Sequence, residues 1–307
     1  MRIVFLLLLS ASLLAGQPEP RPKRVRVPAW VEADAGEASE ALGAEAVTAS
    51  LDGEPAAVDR VLGPRDGLML LLASDMVGDM TLVDTAKRAL AEQIGELPPN
   101  VWVGLLRAQD GLKVLVDPTP ERGPVTAAIQ ALPVSGRAGL LESIQAAASL
   151  GDAILAKAAV RVAVLFVTDS DVRNYREGFA NPVINESDYR DMSRRFPDAL
   201  IRERISKLET ALMMRQTPVF VVHLVYRGEA LNEAYQAGLM RLASATGGTS
   251  IFCHSQTEIP DAIARALDRI ASHYSIEVSL PEDTPEAVDI SLESPGRSLN
   301  YRGRFSN

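Results

Sequence analysis

Three carboxylates stand where long apolar runs give way to polar residues. Asp75 and Asp79 lie in Ala73-Ser-Asp-Met-Val-Gly-Asp-Met80, and Asp169 lies in Val167-Thr-Asp-Ser-Asp171. Carboxylates gathered at strand ends can hold a hard cation such as Mg²⁺ or Ca²⁺ through oxygen ligands. The plainer alternative is that they cap helices or accept backbone N–H groups. A second set of residues suits recognition instead. Arg173, Tyr175, Arg176 and Tyr189 fall in a long connection after Asp169. Arginine and aromatic side chains are enriched at binding hot spots, and long connections in compact folds are often functional. The alternative there is a solvated loop leading into an amphipathic helix.

Other chemistries lack their residues. Cys253 is the single cysteine, so an intramolecular disulfide and a multi-cysteine zinc site are excluded. Three histidines (His223, His254 and His273) are too few for a histidine-rich metal centre. His223 falls inside an apolar run and reads as a core or edge residue. His273 falls at the end of a helical segment, where a cation would suit the dipole. There is no Gly-x-Ser-x-Gly elbow, no phosphate-binding glycine loop with lysine and no His-Glu-x-x-His. The net charge of −9 disfavours nucleic acid as a partner.

The elements that must position these residues alternate along the chain. Continuous apolar runs at 68–72, 101–106, 160–167 and 219–225 read as strands buried on both faces. Between and after them, helical spacing covers 81–97, 125–132, 140–158, 197–215, 229–245 and 258–273. Strand alternating with helix predicts a mostly parallel, Rossmann-like α/β sheet with helices on both faces. The short connection at Asp110-Gly111 makes the strands at 101–106 and 112–116 antiparallel, which gives one antiparallel edge strand. Period-two segments flank this core at both ends. They include 47–51 and 56–62 around Asp52-Gly53, then 276–280, 288–292 and 299–305. The two ends are expected to pack together as one small β unit.

Arg2 followed by an apolar run to Ala15, then Gly16 and Gln17-Pro-Glu-Pro20, reads as a secretory signal. An uncleaved N-terminal anchor is the alternative, and it would be the chain's one route to a membrane. The expected organisation is an export signal at 1–16, a linker and small β segment at 17–64, an α/β domain at 65–272 and a C-terminal β segment at 273–307. A secreted or periplasmic location follows.

The ordered motifs resemble the von Willebrand factor type A domain. In that family the first strand ends in Asp-x-Ser-x-Ser, a later loop supplies a Thr, and an Asp follows the fourth strand. Together these form a metal-ion-dependent adhesion site. Asp75, Gly78 and Met80 match the first motif, Thr168-Asp169 matches the last, and Thr246-Gly247-Gly248 resembles the family's late helix-to-strand turn. The flanks are similar to secreted bacterial von Willebrand factor A-related proteins known from acidobacteria. By this resemblance Asp75, Asp79 and Asp169 would be the metal ligands. Val77 and Asp79 replace the two serines, however, and Ala138 stands where the Thr is expected. That set is poor for octahedral Mg²⁺ and better suited to Ca²⁺. The resemblance therefore implies a non-catalytic adhesion or assembly module with no required cofactor, which binds an unidentified protein or surface ligand without a metal. Asp169-Ser-Asp171 is also similar to the opening of haloacid-dehalogenase-like phosphotransferases. The alternative it implies is a hydrolase or phosphotransferase with Asp169 as nucleophile and Asp171 as acid.

Overall fold

The computed structural model describes residues 23–32, 41–175, 198–285 and 287–306. Its centre is a six-stranded sheet. The strands are β5 (Leu68–Asp75), β6 (Val101–Arg107), β7 (Lys113–Thr119), β8 (Arg161–Thr168), β9 (Val219–His223) and β10 (Ser250–Phe252). They lie in the order β10-β9-β8-β5-β6-β7, parallel except for β7. The expected α/β class and antiparallel edge are both present. Asp110 and Gly111 turn the β6–β7 hairpin with φ of 55° and 94°, the left-handed conformations such a connection needs.

Apolar runs at β5 and β8 make sense because both faces of the sheet are covered. On one face lie α1 (Met80–Glu96), α2 (Arg122–Gln130) and α6 (Ile259–Ala271), which pack Leu90, Ile129 and Ile263 on Leu70 and Leu72. On the other lie α3 (Leu140–Leu155), α4 (Asp198–Leu212) and α5 (Ala230–Ala245), which pack Ile144, Ile205 and Leu239 on Leu71 and Phe166. Each fully buried side chain of this kind contributes roughly 1.5–3 kcal/mol of transfer free energy. No described helix is long and apolar enough to cross a membrane.

The chain ends interleave. β1 (Lys23–Glu32) pairs with β11 (Tyr274–Leu280), and β2 (Thr48–Leu51) pairs with β12 (Ala287–Glu293). With β3 (Glu54–Ala56), β4 (Val58–Leu62), β13 (Ser298–Tyr301) and β14 (Arg304–Ser306), two four-stranded antiparallel sheets result, β13-β1-β11-β4 and β14-β12-β2-β3. Both contribute to one apolar core, with Val27, Leu51, Ile276, Ile290 and Phe305 among its members. Neither sheet forms without strands from both ends. Two expected single strands are each broken across these sheets. The return strand after Asp52-Gly53 divides into β3 and β4, and the last strand divides into β13 and β14. The breaks are corners at which the chain leaves one layer for the other. A period of two does not reveal such a corner.

Arg161 fastens the β unit to the amino ends of the parallel strands. It is fully buried, and it donates to the carbonyls of Ala271, His273, Pro64 and Asp66. Trp30 leaves β1 to join the α/β core and donates its indole N–H to Arg269 O at 2.7 Å. His273 corrects the sequence expectation. It is buried beside Arg161, and burial, reinforced by that guanidinium, pushes its pKa down to about 3. It is therefore a neutral donor to the Ile270 carbonyl rather than a cation at a helix end.

Candidate functional site

The chain runs from β5 outward to β6 and β7, then returns to β8 on the opposite side of β5. The order reverses between β5 and β8. The carboxyl ends at such a reversal form the crevice where open α/β sheets bind ligands. Asp75 ends β5, and Asp169 follows β8 directly across the ladder, next to the pair Asp75–Thr168. The sequence placed both residues at this point, and the structure brings them there.

Asp75 is fully buried, and its oxygens are engaged. Oδ1 accepts from Gly139 N at 2.8 Å, and Oδ2 accepts from Thr168 Oγ1 at 3.0 Å and Ser170 Oγ at 2.9 Å. Burial pushes its pKa up to about 7, against the opposing pull of these three donors. Gly139 makes its contact because it has no side chain, since a Cβ there would lie 1.9 Å from the Ala108 carbonyl oxygen. Its amide reaches the carboxylate from the loop where the family pattern expects a Thr hydroxyl. Ala138, the residue at that position, is buried in the apolar cluster beneath α3.

Asp169 holds the loop between β5 and α1. Its Oδ1 accepts from Val77 N at 2.7 Å, and its Oδ2 accepts from Gly78 N at 2.8 Å and Asp79 N at 2.9 Å. Successive amides converging on one carboxylate at a helix start form an anion-binding nest, and here the anion is the chain's own. Gly78 lets the loop close this far, since a Cβ would stand 3.1 Å from Asp169 Oδ2. Val77 points its side chain into the apolar cluster on the α3 side. Asp79 caps α1, accepting from Thr81 N at 2.8 Å and Leu82 N at 3.4 Å. Asp171 accepts from Arg173 N at 2.8 Å and pairs with Arg227 at 3.3 Å.

Behind these carboxylates runs a buried polar chain that sequence reading missed. Ser170 Oγ lies 2.6 Å from Thr168 Oγ1 and 3.2 Å from Tyr235 OH, and the Ser170 carbonyl meets His223 Nε2 at 2.8 Å. Burial raises the pKa of Tyr235 and lowers that of His223. Thr168 and Ser170 flank Asp169 and were visible as neighbours. Tyr235 gave no signal, because its ring alternates with the apolar positions of α5 like any core residue.

The recognition residues divide. Arg173 is exposed and pairs with Glu229 at 3.3 Å. Tyr175 is buried, contrary to its expected role at a binding surface. Its ring centroid lies 5.6 Å from that of Tyr235, and its hydroxyl accepts from Leu141 N. The short turn at Val172–Tyr175 directs this side chain under α3, so it supports the edge from below. Arg176 and Tyr189 lie outside the described residues. The same edge exposes Met80 and Tyr226, and Tyr226 stacks on His254 at 4.9 Å between centroids. Gln256 ties this loop to α1 through Thr85 at 2.6 Å. Among the described residues no group of three or more His, Cys, Asp or Glu side chains is arranged to hold a metal ion. A cleft of about 340 Å³ lies elsewhere, lined by Arg24, Arg26, Asp152, Gln216 and Glu277. Its charged groups are engaged with one another or with nearby backbone.

No protein-family profile matches the sequence. No curated protein matches it either. The structure is similar to several solved von Willebrand factor type A structures. A von Willebrand factor type A protein from Catenulispora acidiphila is 10% identical with a TM-score of 0.48, covering 93% of this chain and 74% of that one. The D319A mutant of the PilB minor pilin from Streptococcus sanguinis is 11% identical with a TM-score of 0.48, covering 67% and 62%. The vWF domain of the type V pili tip protein Mfa5 from Porphyromonas gingivalis is 13% identical with a TM-score of 0.42, covering 68% and 95%.

Proposed function

We propose that this chain is a non-catalytic protein-binding module that works outside the cytoplasm and engages its partner without a metal ion. The observation that carries this reading is the use made of Asp169. The carboxylate that would hold an ion, or attack a phosphoryl group, instead carries three backbone amides of the loop 77–79. The donor set does not fit a cation. Asp75 and Asp169 point lone pairs at N–H and O–H donors, Asp79 serves α1, and Val77 and Ala138 bring carbon where hydroxyl ligands would be needed. The same engagement disfavours the phosphotransferase alternative, because Asp169 is tied and Asp171 is paired with Arg227.

The binding surface is the outer rim of this locked edge, with Arg173, Tyr226, His254 and Met80 as contact residues. The apolar run near the N-terminus supports an exported protein. Pilus proteins among the structures of similar fold suit a partner that is itself a protein or surface ligand. The experiment is thermal unfolding of the full chain in chelator and in millimolar Mg²⁺, Ca²⁺ or Mn²⁺, beside Asp75→Ala. An ion at roughly 100 times its dissociation constant adds about 2.7 kcal/mol. The expected result is no shift in either protein. A cation-dependent rise in the parent that Asp75→Ala abolishes would overturn the metal-free reading. Hydrolysis of an aryl phosphate that is lost in Asp169→Asn would overturn the non-catalytic one.

A further inference from the structure

The strand β7 is an edge of the central sheet, and its outer side has no partner strand among the described residues. It reads Lys113-Val-Leu-Val-Asp117 before Pro118. Val114 and Leu115 are 52% and 43% exposed, large values for apolar residues on a strand. Lys113 and Asp117 are exposed too, and neither forms an ion pair with a described residue. Lys113 stands across the ladder from Arg107, a like charge.

The segment is a palindrome in hydropathy and an antipalindrome in charge. We propose that β7 is a self-association surface: a second copy of this chain adds its own β7 antiparallel, with Leu115 facing Leu115 across a two-fold axis. In that register Lys113 of each copy meets Asp117 of the other, and Val114 meets Val116. Cross-strand opposite charges and β-branched pairs each contribute roughly 0.2–1 kcal/mol. A two-fold interface uses every such contact twice. Shifting the register by one or two residues opposes Lys113 to Val116 or Leu115, so charge selects one alignment.

Two features guard this edge against indiscriminate pairing. β7 carries one residue more than β6 in two places, between the pairs Val103–Thr119 and Leu105–Val116 and between Leu105–Val116 and Leu106–Val114, and Pro118 lacks an N–H. Bulges, prolines and charges blunt edge strands in this way. Pro118 lies outside the five residues that pair. The extra residues bend β7 locally, and across a two-fold axis both copies bend alike and have equal lengths. A ladder this short is small beside standard interfaces, so the dissociation constant is on the order of 100 µM.

The test is sedimentation equilibrium of the full chain from about 10 µM to 1 mM, on the parent, Lys113→Asp, Asp117→Lys and the double exchange. These positions are exposed, and thermal unfolding checks that all four proteins keep the fold. The expected result is a monomer–dimer equilibrium in the parent. Each single variant, which sets like charges face to face, should be weakened roughly ten-fold. The double exchange should recover to within about three-fold of the parent, because it restores opposite charges with the signs reversed. A parent that stays monomeric throughout overturns the proposal. So do single variants that associate like the parent, and a double exchange as weak as the singles.

Discussion

Replacing Asp169 by alanine separates an acid that holds backbone from an acid that waits for a cation. In a vacant metal site, clustered carboxylates repel one another, and deleting one stabilises the ion-free protein. Here the carboxylate accepts from Val77, Gly78 and Asp79 N–H groups within 2.9 Å, so deletion should cost stability instead. A hydrogen bond to a charged group is worth about 1.5–3 kcal/mol net. Three such bonds would set a large upper figure. Gly78 and Asp79 are exposed, however, so water can reach the amides released there. The sum falls to about 3 kcal/mol, most of it from Val77 N and from lost anchoring of the first turn of α1. For a chain of this size that is a fall in Tm of roughly 6 °C. Asp169→Asn should recover little, because an amide nitrogen would face N–H donors on one side. The assay is thermal and urea unfolding in EDTA at pH 7.5, with both variants beside the parent. An Asp169→Ala protein as stable as the parent, or more stable, would refute the assignment of Asp169 as the loop's internal anion.

Two further predictions concern protons in the core. His273 has its pKa depressed from 6.5 to about 3 by burial and by Arg161, so the unfolded chain binds the extra proton first as pH falls. Its contribution is present above pH 6.5 and is lost as pH drops toward 3, about 5 kcal/mol in all. His273→Gln should flatten that acid limb in urea titrations taken at several pH values, and an unchanged slope would count against it. Asp75 acts with the opposite sign. Its pKa rises from 3.8 to about 7, so the folded protein holds the proton more tightly and loses stability as pH rises from 4 to 7. Asp75→Asn keeps an acceptor for Gly139 N and offers its amide hydrogens to Thr168 and Ser170, whose hydroxyls can rotate to accept. This variant should be the more stable of the two at pH 8, and a loss of stability there would mean that Asp75 is held charged.

Much of the fold was legible because burial on both faces leaves a strong mark. Runs such as Leu68-Met-Leu-Leu-Leu72 and Val162-Ala-Val-Leu-Phe-Val167 have one reading when helical spacing lies between them, and Asp110-Gly111 announces the antiparallel edge. The corners in the terminal sheets were not legible. The segment 56–62 alternates well enough for one strand, and the change of layer after Ala56 depends on where β11 and β12 arrive from more than 200 residues away. His273 was misread for a related reason. Its position after α6 is local information, and the guanidinium of Arg161 that makes a second cation costly comes from β8.

At the candidate site the sequence located the acids without revealing their use. A carboxylate at a strand end looks the same whether its oxygens face an ion or the amides of a neighbouring loop. The informative residues are the ones that surround the acids. Val77 gives the loop an apolar anchor into the α3 side, and Gly78 clears the space for Asp169. Gly139 brings an amide where a hydroxyl would stand, and Asp79 turns to the helix. Each of these residues supplies the edge with a hydrogen bond or a packing contact, or the room for one. A buried carboxylate without donors would cost several kcal/mol, and both oxygens of Asp75 and of Asp169 have donors. These bonds tie the carboxyl edge of the sheet together, and under the function proposed above it is the exposed side chains of the rim that would meet a partner.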